Sequence, residues 1–247
     1  MINNILKKFN FQLIKLNQQV DPFPDLEKEF MDTLKKCKPY TMTSEERLYA
    51  MHQAVQYLVK NNIAGDIVEC GVWRGGSTMC ALLELVKLNK TDRQVYLYDT
   101  FEGMSEPTEK DANLLGKGAQ QLLNESQKTT DDIMWCYAPI EDVKKNIEST
   151  GYPAQKVNYV KGKVEDSIPQ TMPGDIALLR LDTDWYESTY HELTHLFPKL
   201  VKGGVIIIDD YGHWQGAREA VDQYFKENNI HLLLNRIDYT GRIGIKM

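Results

Sequence analysis

The stretch GDIVECGVWRGGST, residues 65 to 78, predicts the fold of this chain. It joins a short apolar strand to a helix through a glycine-rich turn. Beyond it, apolar strands alternate with segments of helical periodicity, an order typical of an α/β fold with a mostly parallel sheet. Further strands are predicted in QVYLYDTF (94–101), NYVKGKV (158–164), IALLRLDTD (176–184) and GGVIIIDDYG (203–212).

The last part of the chain predicts a reversal of strand direction. The segments HLLLNRID (231–238) and RIGIKM (242–247) read as two strands. Only the tight turn Tyr239-Thr240-Gly241 separates them, which is too short for a parallel crossover. We therefore expect an antiparallel hairpin at one edge of the sheet.

The N-terminal region reads as an addition to the main domain. Thr43 and Glu46 have the spacing of a capping box and predict the start of a long helix. Residues 41–247 are interpreted as the main domain and residues 1–40 as a helical extension. The first 16 residues suggest a helix that packs on the domain or on a partner chain; membrane-surface binding is the alternative. We expect a homodimer or a higher homo-oligomer.

Composition excludes several classes of function. The 247 residues carry a net charge of −6, so no basic field favours nucleic acid. The four cysteines form no C-x-x-C pair, which disfavours a zinc site and a disulfide framework and fits a reducing, cytoplasmic location. No apolar run is long enough for a signal peptide or a membrane span.

The turn after the first strand lacks the usual phosphate-binding patterns. Neither the G-x-G-x-x-G spacing of dinucleotide sites nor the G-K-[ST] ending of a P-loop is present. The turn suits a ligand that approaches the backbone closely without a pyrophosphate, and Glu69 at its start suits a positive charge. A plain tight turn is the alternative reading.

Residues that follow the next strands point to an adenosine. Ligands of open α/β sheets bind beyond the carboxyl ends of the strands. Asp99 lies at such an end, where it can accept hydrogen bonds from ribose hydroxyls. After the third strand, a base ring can lie against Val164 while Glu165 meets its amino group. An adenosine with a cationic, phosphate-free extension fits these residues, and S-adenosylmethionine is such a molecule.

Four motifs in order resemble the macrocin O-methyltransferase family. They are DIVECGVWRGGST (66–78), YDTFEGM (98–104), LRLDTDWYEST (179–189) and GGVIIIDDYGHWQGAREAVDQYF (203–225). The resemblance implies a Rossmann-like class I methyltransferase fold with a seven-stranded sheet. It also implies a methyl transfer from S-adenosylmethionine to sugar hydroxyls of natural products. The predicted cofactor contacts are Met42, Thr43, Glu69, Gly71, Ser77, Thr78, Asp99, Gly162, Val164, Glu165 and Asp182.

Three acidic side chains at neighbouring strand ends predict a cation site. Asp182 ends one strand and Asp209 and Asp210 end another, so their charges repel unless a cation lies between them. Carboxylate oxygens suit Mg²⁺, Mn²⁺ or Ca²⁺. In the family that the chain resembles, the LD-x-D and DD motifs hold a divalent metal and the catalytic base. Catechol-type methyltransferases place a lysine soon after the first Asp, whereas this chain has Trp185 and Tyr186.

The remaining candidates are a base and residues of the acceptor pocket. Asp184 is predicted as the base, on the same side of an extended segment as Asp182; the alternative is a cap for the following helix. Tyr211 and His213 are predicted to line the sugar pocket, and His213 is either a second base or a surface residue. His191 and His195 are interpreted as a packing or exposed pair.

Residues 106–135 break the alternation of strands and helices. This polar segment is long for a loop inside a compact domain, and we expect it to be a lid over the substrate. Trp73, Trp135 and Trp185 are either core residues or surfaces for a sugar ring. The identity of the acceptor stays open. A phenolic hydroxyl is the alternative to a sugar, and a non-catalytic protein that binds S-adenosylmethionine is the alternative to an enzyme.

Overall fold

The computed structural model describes residues 23–130 and 132–247, and a seven-stranded sheet runs through them. The strands are β1 (Asp66–Cys70), β2 (Val95–Asp99), β3 (Val157–Lys161), β4 (Ile176–Leu181), β5 (Leu200–Ile208), β6 (Asn235–Arg236) and β7 (Arg242–Ile245). Their order in the sheet is β3-β2-β1-β4-β5-β7-β6. The first five strands are parallel, and β7 is antiparallel to β5 and β6. The predicted fold class, with its C-terminal hairpin, is therefore confirmed.

Helices connect the strands and cover both faces of the sheet. The α-helices of the described residues are α1 (Lys28–Cys37), α2 (Glu45–Lys60), α3 (Gly76–Lys87), α4 (Ala119–Asn124), α5 (Ile140–Glu148), α6 (Val164–Ser167), α7 (Tyr186–Leu196) and α8 (Gln215–Glu227). Single 3₁₀ turns span Lys38–Tyr40, Ala154–Lys156 and Phe197–Lys199. Within these described ranges, no helix has both the length and the hydrophobicity to cross a membrane.

Alternate residues of the central strands face two separate hydrophobic clusters. On one side, Ile67 and Leu178 pack with buried residues of α1, α2, α3 and α5. On the other side, Val68 and Leu179 pack with buried residues of α7 and α8. Because helices bury both faces of the sheet, the carboxyl ends of its parallel strands are the natural place for a ligand.

Helix α1 ties the described part of the N-terminal region to the main domain. It buries Phe30, Leu34 and Cys37 in the same cluster as α2 and α3. The predicted helix within the first 16 residues lies outside the described residues. Because its buried residues belong to the cluster of α2 and α3, helix α1 packs on the domain as the other helices do.

Helix α2 does not begin with the predicted capping box. Its N-cap is Ser44, whose hydroxyl accepts the Arg47 N–H at 3.2 Å. Thr43 is buried instead, with its hydroxyl 3.2 Å from that of Ser77 and 3.1 Å from an Arg180 nitrogen. The Thr43–Glu46 prediction is wrong because a buried arginine uses the Thr43 hydroxyl.

Strand β6 is much shorter than the predicted segment 231–238. Only Asn235 and Arg236 pair with β7, because β6 lies at the sheet edge and has no other partner strand. Leu232 and Leu234 still pack on the second hydrophobic cluster, whereas Leu233 is 76% exposed. Buried and exposed side chains thus still alternate in residues 232–234, although these residues pair with no other strand.

Candidate active site

One cavity of about 400 Å³ opens at the carboxyl ends of the parallel strands. Its wall combines the turn after β1, the ends of β2, β4 and β5, and the C-terminal turn. Two residues of the segment before α2, Met42 and Thr43, also contribute to it. Of the predicted cofactor contacts, those on the cavity wall are Met42, Thr43, Gly71, Ser77, Asp99, Gly162, Val164, Glu165 and Asp182.

The turn after β1 is built for close backbone contact. Gly71 has φ +79°, and a Cβ at this position would lie 1.9 Å from the Asp182 carbonyl oxygen. Only glycine avoids this collision, so the end of β1 can touch the end of β4. The helix that follows, α3, starts at a second left-handed glycine, Gly75.

Asp99 organises this turn through its carboxylate. Its Oδ2 accepts the N–H groups of Val72 at 2.6 Å and Trp73 at 3.1 Å, and its Oδ1 accepts that of Phe101 at 2.6 Å. Burial raises the pKa of Asp99, and these N–H donors counteract it. Asp99, on the cavity wall, therefore fixes the conformation of the turn after β1. Its contact with ribose hydroxyls stays a prediction.

Glu69 and Thr78 lie behind the cavity wall. Glu69 accepts hydrogen bonds from the Thr78 hydroxyl and, at 2.5 Å, from Arg180. It faces Arg180 directly in the β1–β4 pairing. We predicted that Glu69 contacts a cationic ligand directly. The geometry does not favour this contact, because the Glu69 carboxylate already pairs with the Arg180 guanidinium.

Arg180 is the central residue that the sequence analysis missed. It is 2% exposed, in a strand whose six residues are all buried. Its guanidinium donates to Asp182 at 2.7 Å and to Asp209 at 2.5 Å, besides Glu69 and Thr43. An arginine inside the apolar run IALLRL was the available signal, since such a charge is buried only with acidic partners.

Arg47 brings a second positive charge from helix α2. Its Nη1 donates to Asp209 Oδ2, and its Nε donates to Asp238 Oδ2 at 3.0 Å. Arg47 lines the cavity with only 12% of its side chain exposed. No local pattern in the sequence marks this contact. Both oxygens of Asp209 are thus engaged by guanidinium groups, which reduce the repulsion that led us to predict a metal.

The three predicted metal ligands nevertheless lie together. Each of Asp182, Asp209 and Asp210 offers an oxygen, and these oxygens are within 4.8 Å of one another. Among the described residues, this is the only cluster of its kind. The buried Asp210 Oδ2 has no hydrogen-bond partner. Burial and the neighbouring carboxylates raise the pKa values of Asp182 and Asp210. Oxygen donors, a free buried oxygen and excess negative charge fit a divalent cation.

Asp184 occupies a strained turn beside this cluster. Its φ is +65°, and the Trp185 N–H donates to the Thr183 carbonyl at 2.7 Å, which closes a γ-turn around it. A γ-turn with positive φ is rare and strained. The prediction of an extended segment is therefore wrong at Asp184. Burial, followed by the charge of Asp182, raises the pKa of Asp184 to about 8.

Asp184 does not cap the helix that follows it, which was the alternative prediction for this residue. Helix α7 has no side-chain cap at its N-cap residue, Trp185. Its first N–H group, that of Tyr186, donates to Asp111 at 2.7 Å. Because Asp111 performs the capping, the Asp184 carboxylate is left to face the cavity and Asp210.

The two predicted acceptor residues point to different places. His213 lines the cavity, with its Nδ1 3.2 Å from the Tyr239 hydroxyl. Burial and the charge of Arg47 lower its pKa, which favours the neutral imidazole. Tyr211 lies instead in a neighbouring surface groove and donates to Asp222 at 2.6 Å. Tyr239, exposed on the C-terminal turn, is a further cavity residue that we did not predict.

The histidine pair on α7 has no link to the cavity. His191 donates from Nε2 to the Ile168 carbonyl at 2.8 Å. The His191 and His195 rings lie 4.4 Å apart, at an angle of 50°. This geometry agrees with the interpretation of a packing pair.

The segment 106–135 is anchored at one end and borders the cavity at the other. Ala119 and Leu123 pack against Trp185 and Trp214, and Trp185 donates to the Ser105 carbonyl at 3.1 Å. Trp185 is thus a core residue. Farther along, Ile133 and Met134 line the cavity, and Ile133 is 72% exposed. A lid role stays a prediction for this second part.

Known proteins share both the sequence and the fold. The macrocin-O-methyltransferase (TylF) family matches residues 10–243. The chain is 31% identical over 243 residues to 8-demethyl-8-(2,3-dimethoxy-alpha-L-rhamnosyl)-tetracenomycin-C 4'-O-methyltransferase of Streptomyces olivaceus, over 96% of this chain and 89% of that protein. It is 32% identical to demethyldecarbamoylnovobiocin O-methyltransferase of Streptomyces niveus, over 82% and 74%. The O-methyltransferase NovP superposes with a TM-score of 0.73 at 30% identity, over 84% of this chain and 82% of that chain.

Proposed function

The chain belongs to the macrocin O-methyltransferase family and is an S-adenosylmethionine-dependent O-methyltransferase, and we propose that it methylates a sugar hydroxyl of a glycosylated small molecule with the help of a divalent cation. One observation carries the proposal. Asp184 projects from a strained turn beside the Asp182, Asp209 and Asp210 carboxylates, on the wall of a cavity that the Gly71 turn also lines.

The methyl donor is proposed to bind along the Gly71 turn. Asp99 and Gly162 follow the next two strands on the same wall, and Val164 offers an apolar surface for the base. When bound, S-adenosylmethionine supplies a methyl group on a positively charged sulfur. The acidic surroundings of Asp182 and Asp184 favour that charge near the acceptor.

The cation is proposed to lie among Asp182, Asp209 and Asp210. When bound, it would supply positive charge that lowers the pKa of the acceptor hydroxyl. Arg180 donates hydrogen bonds to both Asp182 and Asp209 and keeps them in place, because a third hydrogen bond to the buried Glu69 fixes its own position. The strongest support for a cation at this position is Asp210 Oδ2, which is buried and accepts no hydrogen bond.

Asp184 is proposed as the general base. Its carboxylate borders both the cavity and Asp210, so a hydroxyl bound near the cluster is within its reach. As the hydroxyl oxygen bonds to the methyl carbon, the bond between that carbon and the sulfur would break and S-adenosylhomocysteine would leave. The ionised Asp184 carboxylate would take the proton of the hydroxyl. His213 is the second candidate, since it lines the same cavity and its neutral form is favoured.

The sugar acceptor is inferred from the relatives and from the cavity rim. One relative is named for the O-methylation of a rhamnosyl-tetracenomycin. In this chain, Met42, Ile133 and Tyr239 line the cavity although each is more than 40% exposed. An apolar rim of this kind suits a sugar that carries an apolar aglycone.

The acceptor can be tested with labelled S-adenosylmethionine. The chain is incubated with the compounds for which the two relatives are named, a rhamnosyl-tetracenomycin and demethyldecarbamoylnovobiocin, and with catechol, each with Mg²⁺ and with EDTA. We expect label on a glycoside, located on the sugar by NMR, and little turnover in EDTA. Label on catechol alone would support the phenolic alternative. Binding of S-adenosylhomocysteine without any turnover would support a non-catalytic relative.

We also propose that the chain forms a homo-oligomer and works in a reducing, cytoplasmic environment. The four cysteines are free, which agrees with the reducing environment. Light scattering tests the assembly, and a monomer mass at working concentration would refute it.

A further inference from the structure

A buried carboxyl group lies beneath the catalytic turn. Glu192, on the inner face of α7, is 0% exposed. Neither of its oxygens makes an aligned hydrogen bond to any described residue. Burial raises the pKa of Glu192 well above its usual range, which favours the uncharged carboxyl group. Even an uncharged carboxyl group costs free energy when it is buried without well-aligned hydrogen bonds, so its presence calls for an explanation.

The neighbours of Glu192 connect it to the active site. Its carboxyl group faces the Thr183 hydroxyl and the Cys70 thiol. The Thr183 hydroxyl is itself buried and makes no aligned hydrogen bond. Thr183 stands between Asp182 and Asp184, and Cys70 is the last residue of β1 before Gly71. Glu192 therefore contacts the backbone segments that carry the proposed base and the cofactor turn.

The segment that Glu192 contacts needs external support. Thr183 supplies the carbonyl that closes the γ-turn around Asp184, whose φ is +65°. Such a conformation costs about 1 to 3 kcal/mol and persists only where the surroundings hold it. On its cavity side the Asp184 carboxylate is repelled by Asp182 and Asp209, while Asp210 and Trp214 lie within reach of it. On the opposite side of the turn, Glu192 and Thr183 face each other.

We propose that Glu192 is a positioning residue, which holds Thr183 and thereby keeps the Asp184 carboxylate aimed into the cavity. The inference rests on the proposed role of Asp184 as the base. Glu192 does not line the cavity, so it can act on the reaction only through the segments that it faces, and of these the turn around Asp184 carries the proposed base. Its task needs an uncharged group with hydrogen-bonding capacity, which glutamine also provides and leucine does not.

The test compares Glu192→Leu with Glu192→Gln. We expect Glu192→Leu to lower kcat about 10- to 100-fold, as loss of a supporting partner typically does. The Kd of S-adenosylhomocysteine should stay within experimental error. Glu192→Gln should restore most of kcat. The matched control makes the same two changes at Glu187, an exposed residue of the same helix, and should leave kcat unaltered.

A double-mutant cycle separates positioning from simple packing. In an Asp184→Asn background, Glu192→Leu should cost much less kcat than in the wild type, because the group that it positions is gone. Should Glu192→Leu not fold, Thr183→Val interrupts the same link and is expected to give the same non-additivity. An equal cost in both backgrounds would overturn the inference. Wild-type activity of Asp184→Asn would overturn the proposed base instead, and the two failures are therefore distinguishable.

Discussion

Arg47 donates a hydrogen bond to Asp209 Oδ2, although 162 positions separate the two residues in the sequence. Asp209 is also one of the three proposed metal ligands. The guanidinium therefore supplies positive charge where a divalent cation would also bind. Arg47 has a second acidic partner, Asp238, so it can release Asp209 without losing all of its neutralising contacts.

Replacement of Arg47 by methionine should strengthen metal binding. The substitution removes a competing positive charge and keeps the unbranched stem. One unit charge a few ångströms away contributes about 1 kcal/mol even in water-like surroundings, or about fivefold in affinity. Titration calorimetry with Mn²⁺ measures the change, and Arg218→Met, at an exposed position on α8, is the control. Weaker binding in Arg47→Met would mean that the arginine supports the ligands rather than competes.

Substitution of Gly71 by alanine should destabilise the chain and impair cofactor binding. The new methyl group would collide with the Asp182 carbonyl, 1.9 Å from the ideal Cβ position. Gly116→Ala is a matched control, because Gly116 has the same φ of +79° and nothing within 4 Å of its Cβ position. The conformational cost of about 1 to 2 kcal/mol is common to both variants. If the melting temperature falls further in Gly71→Ala than in Gly116→Ala, the difference measures the cost of the collision. An equal fall in both variants would contradict the collision.

Substitution of Asp99 by asparagine should weaken S-adenosylhomocysteine binding. Asparagine keeps the shape, but its amide nitrogen replaces one of the two carboxylate oxygens and accepts no hydrogen bond. Either the N–H groups of Val72 and Trp73 or that of Phe101 therefore lose their acceptor. Loss of a hydrogen bond to a charged group typically costs about 1.5 to 3 kcal/mol, roughly 10- to 100-fold in affinity. Calorimetry gives the Kd, and Glu102→Gln, on the nearby exposed surface, is the control. Unchanged affinity would remove Asp99 from the cofactor site.

The strands and the cofactor turn were predictable because the information is local. Apolar runs bounded by glycine predict buried strands, and the acids at their ends mark the ligand face. Arg47 and Glu192 were not predictable, because their partners come from distant segments and neither position interrupts a pattern. The γ-turn at Asp184 was missed for a related reason. Asp tolerates positive φ better than most residues, but only the packing around Thr183 selects it.

Ligands should protect the second part of segment 106–135 from proteolysis. Ile133 and Met134 line the cavity, whereas Leu123 is buried against the main body of the domain. We therefore expect limited trypsin digestion to cut at Lys128 in the free chain and more slowly with S-adenosylhomocysteine plus acceptor. Cleavage at Lys117 serves as an internal control, since it precedes the anchored helix α4. Equal cleavage at Lys128 with and without ligands would refute the lid.

Substitution of Asp184 by asparagine should separate catalysis from binding. Asparagine fits the same turn, since it also tolerates positive φ, but it cannot take the acceptor proton. Loss of a general base typically lowers kcat about 10²- to 10⁴-fold. The Kd of S-adenosylhomocysteine and that of Mn²⁺ should stay close to wild type, because Asp182, Asp209 and Asp210 are intact. Asp182→Asn should instead weaken metal binding and activity together.

The control for Asp184→Asn is the same change at Asp166, an exposed acid near the start of α6. Rapid-quench kinetics with saturating Mg²⁺ isolates the chemical step from product release. If Asp184→Asn turns over at the wild-type rate, the base lies elsewhere, and His213→Gln becomes the decisive variant because that imidazole is the other candidate on the cavity wall. If Asp184→Asn loses metal and kcat in parallel, Asp184 acts as a ligand rather than as the base.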